Sequence, residues 1–238
     1  MSGRKLLVVS AHAADFVWRA GGAIATVTSR GGQALVVALS YGEQGESGEL
    51  WAQPGQTVAR VKAIRHEEST RAAEILGALF RCLDWGDYPL EADREATAEL
   101  AGLIREWAPD VILTHPERDP LNPDHPVAYQ VTERARQLAS GAGVASAFQT
   151  VPPAQVLAFE PHQSELCGFF PTTFLDITPV FPLKQQAMEA IASQRYLVSY
   201  YTAMAQRRAN HARRISGDRT IQYAEAFQRL LPQVVREL

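Results

Sequence analysis

The stretch Lys5-Leu6-Leu7-Val8-Val9-Ser10-Ala11-His12-Ala13-Ala14-Asp15-Phe16-Val17-Trp18-Arg19-Ala20-Gly21-Gly22 passes from an unbroken apolar run into a helical pattern across one short turn. Continuous hydrophobicity over residues 5–10, with no polar alternation, predicts a strand buried on both faces, as in a parallel sheet. A second such run covers residues 34–40, and the helical periodicity over 15–30 between them predicts the crossover of a βαβ unit. The alternation continues outward. Residues 57–79 read as a helix with Gly77 as its stop signal, 81–85 as a short strand, 92–107 as a helix, and 110–114 as a strand after the breaker Pro109. A helix over 124–138 and a strand over 155–160 follow, then a strand over 174–177 and helices over 182–193 and 197–214. This order predicts an α/β fold in one domain over 1–238: an open, mostly parallel sheet with helices on both faces and an α-rich C-terminal cap.

Composition narrows the function classes. A chain of 238 residues buries roughly 70% of its extended surface on folding, enough for a full core without disulfide staples. Lys and Arg number 23 against 26 Asp and Glu, for a net charge of -3, which argues against a disordered chain and against a general nucleic-acid binder. Cys82 and Cys167 stand far apart with no C-x-x-C spacing, so free thiols in a reducing compartment are expected and a thiolate zinc site is not. The first residues imitate a signal peptide, but the apolar run is too short, and no run approaches the ~18 residues of a membrane span. A cytoplasmic protein with neither membrane nor nucleic-acid partner is expected.

In open parallel sheets ligands bind beyond the carboxyl ends of the strands. There this chain places His12 and Asp15, then Gly42-Glu43-Gln44-Gly45-Glu46, then His115 through Asp119, then Pro161-His162. His12 and Asp15 lie three residues apart and His125 opens the fourth long helix. Two imidazoles and a carboxylate are the donor set of a divalent cation such as zinc with a position left open. Each also has a plainer reading: Asp15, Asn122 or Asp124 suits a helix N-cap, and a loop histidine is often only polar surface. Gly42, Gly45 and Gly48 form no phosphate-binding pattern and suggest close backbone approach near the site.

Ala-His-x-x-Asp after the first strand, Gly-Glu-x-Gly after the second, Arg65-x-x-Glu68, Leu76-Gly77, Pro123-Asp124-His125, Ser193-Gln194 and the Tyr223 to Phe227 segment together resemble the PIG-L or LmbE-like zinc deacetylases. The resemblance spans nearly the full chain. It implies a Rossmann-like α/β fold, a bound Zn2+ or other divalent metal held by His12, Asp15 and His125, and self-association into a homo-oligomer. It breaks where the amide chemistry lives. The family's His-Pro-Asp-Asp is here His12-Ala13-Ala14-Asp15, and its His-Pro-Asp-His is Asn122-Pro123-Asp124-His125. Alanine accepts no proton, and a lost general base typically removes about 10² to 10⁴ in rate.

Strings outside the metal motif are similar to a hydratase branch of the same family: Phe16-Val17-Trp18-Arg19, Gly45-Glu46-Ser47, Asp87-Tyr88-Pro89-Leu90, Phe159-Glu160-Pro161-His162-Gln163 and Thr173-Phe174-Leu175-Asp176. This likeness implies hydration of the small tricarboxylate 4-oxalomesaconate, or its enol 4-carboxy-2-hydroxymuconate, to 4-carboxy-4-hydroxy-2-oxoadipate. Such a reaction needs a base for water, an acid for the neighbouring carbon, and an electrophile for the developing charge. Glu46 is the expected base and His162 the expected proton donor, with Glu43 the rival carboxylate. Arginines should meet the substrate's carboxylates. Arg118 is best placed by sequence, Arg19 is another choice, and the arginines from 195 to 219 read as a solvated basic face. Two rivals remain: a deacetylase using Glu46 as base, and a binding scaffold without turnover.

Overall fold

The computed structural model describes residues 3–234. Its elements run β1 (Lys5–His12), α1 (Asp15–Ser29), β2 (Gln33–Ser40), α2 (Gly48–Trp51), α3 (Val58–Ile75), β3 (Leu79–Cys82) and α4 (Arg94–Trp107). They continue through β4 (Val111–Thr114), α5 (Asp124–Ser140), β5 (Gln155–Phe159), β6 (Thr173–Asp176), α6 (Phe181–Ala190), α7 (Leu197–Ser216) and β7 (Ala224–Arg229). One seven-stranded sheet has the order β3-β2-β1-β4-β5-β7-β6. The strands from β3 across to β5 pair in parallel, and β7 runs antiparallel to both neighbours. The chain winds outward from β1 through β2 to β3, then returns to the other side of β1 as β4. The crevice between β1 and β4 is therefore the switch point where such sheets bind ligands.

The unbroken hydrophobicity of β1 has a simple cause. Leu6 and Val8 enter one core with Phe16 and Ile24 of α1 and Met188 of α6, while Leu7, Val9 and Ala11 enter a second core with Ile104 of α4 and Val131 of α5. Both pleat faces are covered, so alternation has nothing to report.

Several boundaries differ from those expected. Gly77, at φ +72°, turns the chain after α3 ends at Ile75, and the strand begins at Leu79 rather than 81. β1 runs on to His12, which carries that imidazole to the sheet's edge. The C-terminal quarter supplies helices α6 and α7 and, beyond expectation, strand β7. Its sequence Ala-Glu-Ala-Phe-Gln-Arg is poor in β-branched residues, so local propensity hides it.

β7 also anchors α1 from outside. Glu225 accepts hydrogen bonds from the Gly22 and Ala23 amides at 2.7 and 2.8 Å, and Lys184 donates to the Trp18 carbonyl at 2.9 Å and to Glu225 at 2.6 Å. A Cβ on Gly22 would lie 2.6 Å from Ile177, so only glycine lets the carboxylate in. Removing one partner of a buried pair leaves the other uncompensated, at about 3–5 kcal/mol. Glu225→Ala is expected to lose stability of that order in urea unfolding of the metal-loaded protein; a loss below ~1 kcal/mol would refute the role.

Candidate active site

The end of β1 and the start of α5 face each other across the β1/β4 crevice. The two sequence-predicted imidazoles and their carboxylate meet there: His12, Asp15 and His125 offer donor atoms all within 4.8 Å of one another, and all three residues are buried. Asp15 makes no helix cap. The residue before α1 is Ala14, without a side-chain capping bond, and Asp15 instead accepts the His12 amide at 2.8 Å. Asp124 likewise gives its own helix no cap, the first amide of α5 being accepted by Asn122 Oδ1 at 3.0 Å, and it accepts the Tyr88 and Leu90 amides at 3.0 and 2.9 Å.

Each imidazole is held from behind by a carboxylate. His12 Nε2 lies 3.1 Å from Asp124 Oδ2, and His125 Nδ1 lies 2.7 Å from Asp119 Oδ2. The opposite nitrogens, His12 Nδ1 and His125 Nε2, are buried without a hydrogen-bond partner among the described residues. Those two orphaned nitrogens flank Asp15, whose oxygens lie 3.2 and 3.9 Å from them. A buried polar atom without a partner is costly, and two convergent ones beside a carboxylate fit a divalent cation. The carboxylate behind each ring fixes its tautomer and raises its basicity, as metal-binding histidines require. A second grouping, His12 with Asp87 and Asp124, also lies within reach. Asp87 there is already engaged by the Gln44 and Gly45 amides, at 3.0 and 2.7 Å, which makes it a loop anchor.

Burial opposes charge on His12, but its contacts with Asp124 and Asp15 outweigh that and hold its pKa up at about 10. Burial pushes His125 down to about 3, with His115 and Arg19 adding to the effect, and burial pushes His115 down to about 4. Burial works the other way on Asp119, yet its bond to His125 brings it to about 2. The seat is thus a neutral imidazole and ionised carboxylates around one proton-hungry histidine, an environment that attracts positive charge.

A cavity of about 240 Å³ opens from this seat and is lined by His12, Asp15, Arg19, Glu46, His125 and His162 among others. The expected acid–base pair thus shares one chamber with the candidate ligands. Glu46 is half-buried, and its carboxylate accepts from Asn122 Nδ2 at 2.8 Å and Gln194 Nε2 at 3.3 Å. Gln194 is itself positioned by Arg65, whose Nη1 donates to its Oε1 at 3.1 Å. The loop comes this close because Gly45 has no side chain: a Cβ there would lie 2.0 Å from the Tyr88 ring. His162 stacks on Tyr200 with ring centres 4.0 Å apart, and the Tyr200 hydroxyl donates to its carbonyl. Burial and the Arg19 charge keep its pKa below the ordinary histidine range.

Other expectations separate from the cavity. Arg118 is exposed and does not line it; the adjacent Asp119 turns inward to His125, which sends its neighbour outward. Arg19 and Arg65 line it instead. Glu43 is buried against Lys62, 3.2 Å from its Nζ, and takes no part in the lining. Arg208, from the basic segment, is buried on Glu160, two residues before His162. Asp119, Asn122 and Gln194 escaped assignment to the site because each acts on a residue distant in sequence or across a turn. The signal open to inspection was the polar cluster from 115 to 125, denser than a connecting loop needs.

Residues 7–136 match the PIG-L family, described as GlcNAc-PI de-N-acetylase. The chain is 45% identical to the 4-oxalmesaconate hydratase of Pseudomonas putida KT2440, over 99% of this chain and 92% of that protein. It is 28% identical to the diacetylchitobiose deacetylase of Thermococcus kodakarensis, over 80% of this chain and 70% of that one. Among solved structures it matches the crystal structure of the 4-carboxy-2-hydroxymuconate hydratase GalB from Pseudomonas putida KT2440 at a TM-score of 0.96, with 45% identity and 99% of each chain covered.

Proposed function

Because the chain belongs to the PIG-L family, yet carries a methyl at Ala14 where the family pattern has a proton-accepting Asp, we propose that it is a metal-dependent hydro-lyase. Its substrate on this reading is 4-oxalomesaconate or the enol 4-carboxy-2-hydroxymuconate, and its product 4-carboxy-4-hydroxy-2-oxoadipate, in gallate or protocatechuate catabolism. The full-length likeness to the Pseudomonas putida hydratase carries the proposal. The test is direct: the purified protein should abolish the ultraviolet conjugation of the substrate and yield a product heavier by one water, and chelator should stop it. Acetate release from diacetylchitobiose without any hydration would favour the deacetylase reading instead.

His12, Asp15 and His125 are the proposed metal ligands, with zinc the metal that fits two imidazoles and a carboxylate. A cation bound there supplies a Lewis acid against the negative charge that develops on the substrate's oxo and carboxylate oxygens. Glu46 is the proposed base. Its two amide partners fix its orientation, and each oxygen keeps a lone pair to accept a proton from water. Water then delivers hydroxide to one alkene carbon, and His162 gives a proton to the neighbouring carbon. Proton return from Glu46 to His162, directly or through solvent, closes the cycle with no other reagent.

The depressed pKa of His162 makes its imidazolium a stronger acid than a free one, and a polyanion bound beside it restores the proton. If His162 donates, kcat/KM must be highest where the free enzyme holds that proton, so it should fall as pH rises through a value below the ordinary histidine range. A pH–rate profile that rises through the same region, and loses the limb in His162→Ala, would exchange the roles of the two residues.

The two free thiols agree with the reducing, cytoplasmic setting we infer, and no helix among the described residues is long and apolar enough to cross a membrane.

A further inference from the structure

Arg19 is one of two cations lining the cavity, with Arg65, that the acid–base assignment leaves unused. It stands one turn along α1 from Asp15, is 8% exposed, and holds its guanidinium carbon 5.9 Å from the centre of the Phe159 ring. Its Nε lies 3.4 Å from Asp15 Oδ1, but neither Nε nor Nη1 makes a hydrogen bond among the described residues. The other deeply buried cations differ. Arg65, Arg105, Lys184 and Arg208 each donate two or more hydrogen bonds to carbonyls, side-chain oxygens or carboxylates, although Arg65 Nη2 is also without a partner among the described residues. A guanidinium cannot shed its charge, so leaving its donors dry costs stability unless an acceptor arrives. Arg19 lines the cavity together with the candidate metal ligands, Glu46 and His162, so a ligand bound there can supply the acceptor.

We propose that Arg19 is the carboxylate-recognition residue of this cavity, pairing the free edge of its guanidinium with a carboxylate of a polyanionic substrate. The proposed carboxylate pairing rests on the geometry of Arg19; only the name of the carboxylate's bearer rests on the hydratase reading above. A planar fork of N–H groups matches a carboxylate bidentately. Selectivity follows as well, because a neutral ligand such as an N-acetyl sugar leaves the buried donors unpaired, and a site built for a hydrogen-bonded group rejects an analogue that lacks it.

The test uses the zinc-loaded full chain and propane-1,2,3-tricarboxylate as probe, titrated by calorimetry against the parent protein, Arg19→Met and Arg19→Lys. Zinc content is measured before and after each titration. Arg19→Met should bind the probe at least tenfold more weakly at unchanged zinc content, and Arg19→Lys, which keeps charge but loses the fork, at least threefold more weakly. With 4-oxalomesaconate the KM of Arg19→Met should rise by at least tenfold while kcat changes less. Affinity within threefold of the parent in both variants overturns the proposal, as does absence of probe binding to the parent at millimolar concentration. A loss that vanishes once zinc is restored also overturns it, since Arg19 would then act only through Asp15. Should Arg19→Met fail to fold, Arg19→Lys decides by its own threshold. Probe binding that depends on Arg19 in a protein that hydrates nothing would sink the hydratase reading and leave the anion site standing.

Discussion

Replacement of His12 or Asp15 by alanine is expected to strip the protein of bound metal and to reduce hydration to the rate of the uncatalysed reaction. The seat offers three protein donors, and its two unpartnered imidazole nitrogens point at the same space. Removing one donor leaves a pair of ligands on a cation whose catalytic sites ordinarily keep three. The readout is zinc per chain after exhaustive dialysis, with circular dichroism to show that the fold survives. Asp119→Asn and Asp124→Asn should be milder, because those carboxylates touch the imidazoles and not the cation; losses of this kind are about 10–100-fold in affinity. Stoichiometric zinc in both alanine variants would remove His12 and Asp15 from the ligand set.

The second large effect is expected at the proposed acid–base pair. Glu46→Gln and His162→Ala should each lower kcat by about 10² to 10⁴, the usual worth of a positioned proton-transfer group, while zinc stays bound. Glu46→Gln is nearly isosteric, but an amide has one acceptor oxygen where the carboxylate has two. Asn122 and Gln194 both donate to Glu46, so one donor must turn away or face an N–H. The variant therefore loses the base and loosens the loop. His162→Ala opens space beside Tyr200 without touching the seat, so an intact metal stoichiometry in that variant separates proton transfer from cation binding. Near-normal turnover in both variants would end the assignment.

Asn122 connects the two halves of the site. It stands where the family pattern has a histidine, and in this chain its amide grips Glu46 while its own oxygen accepts the Asp124 amide at 3.0 Å. On the proposed reading, the missing imidazole and the use of Glu46 as base thus meet at one side chain. Ala14, with a methyl in place of the family's acid, leaves Glu46 without a competing base on the same reading.

Sequence by itself determined the parallel strands β1 to β5 and the gathering of His12, Asp15 and His125 at one edge, while β7 stayed hidden. Both depend on short-range regularities: apolar runs that mark strands covered on two faces, and chemistry-bearing residues stationed directly after those strands, where the topology gathers them. Tertiary structure alone decided which neighbours act on which. Arg19 rather than Arg118 enters the cavity, Glu43 turns away to Lys62, and β7 reaches α1 through Glu225, a residue over two hundred positions from Gly22. Side-chain direction and partnership across such separations are set by packing of whole elements, and packing leaves no periodic trace in the order of the residues.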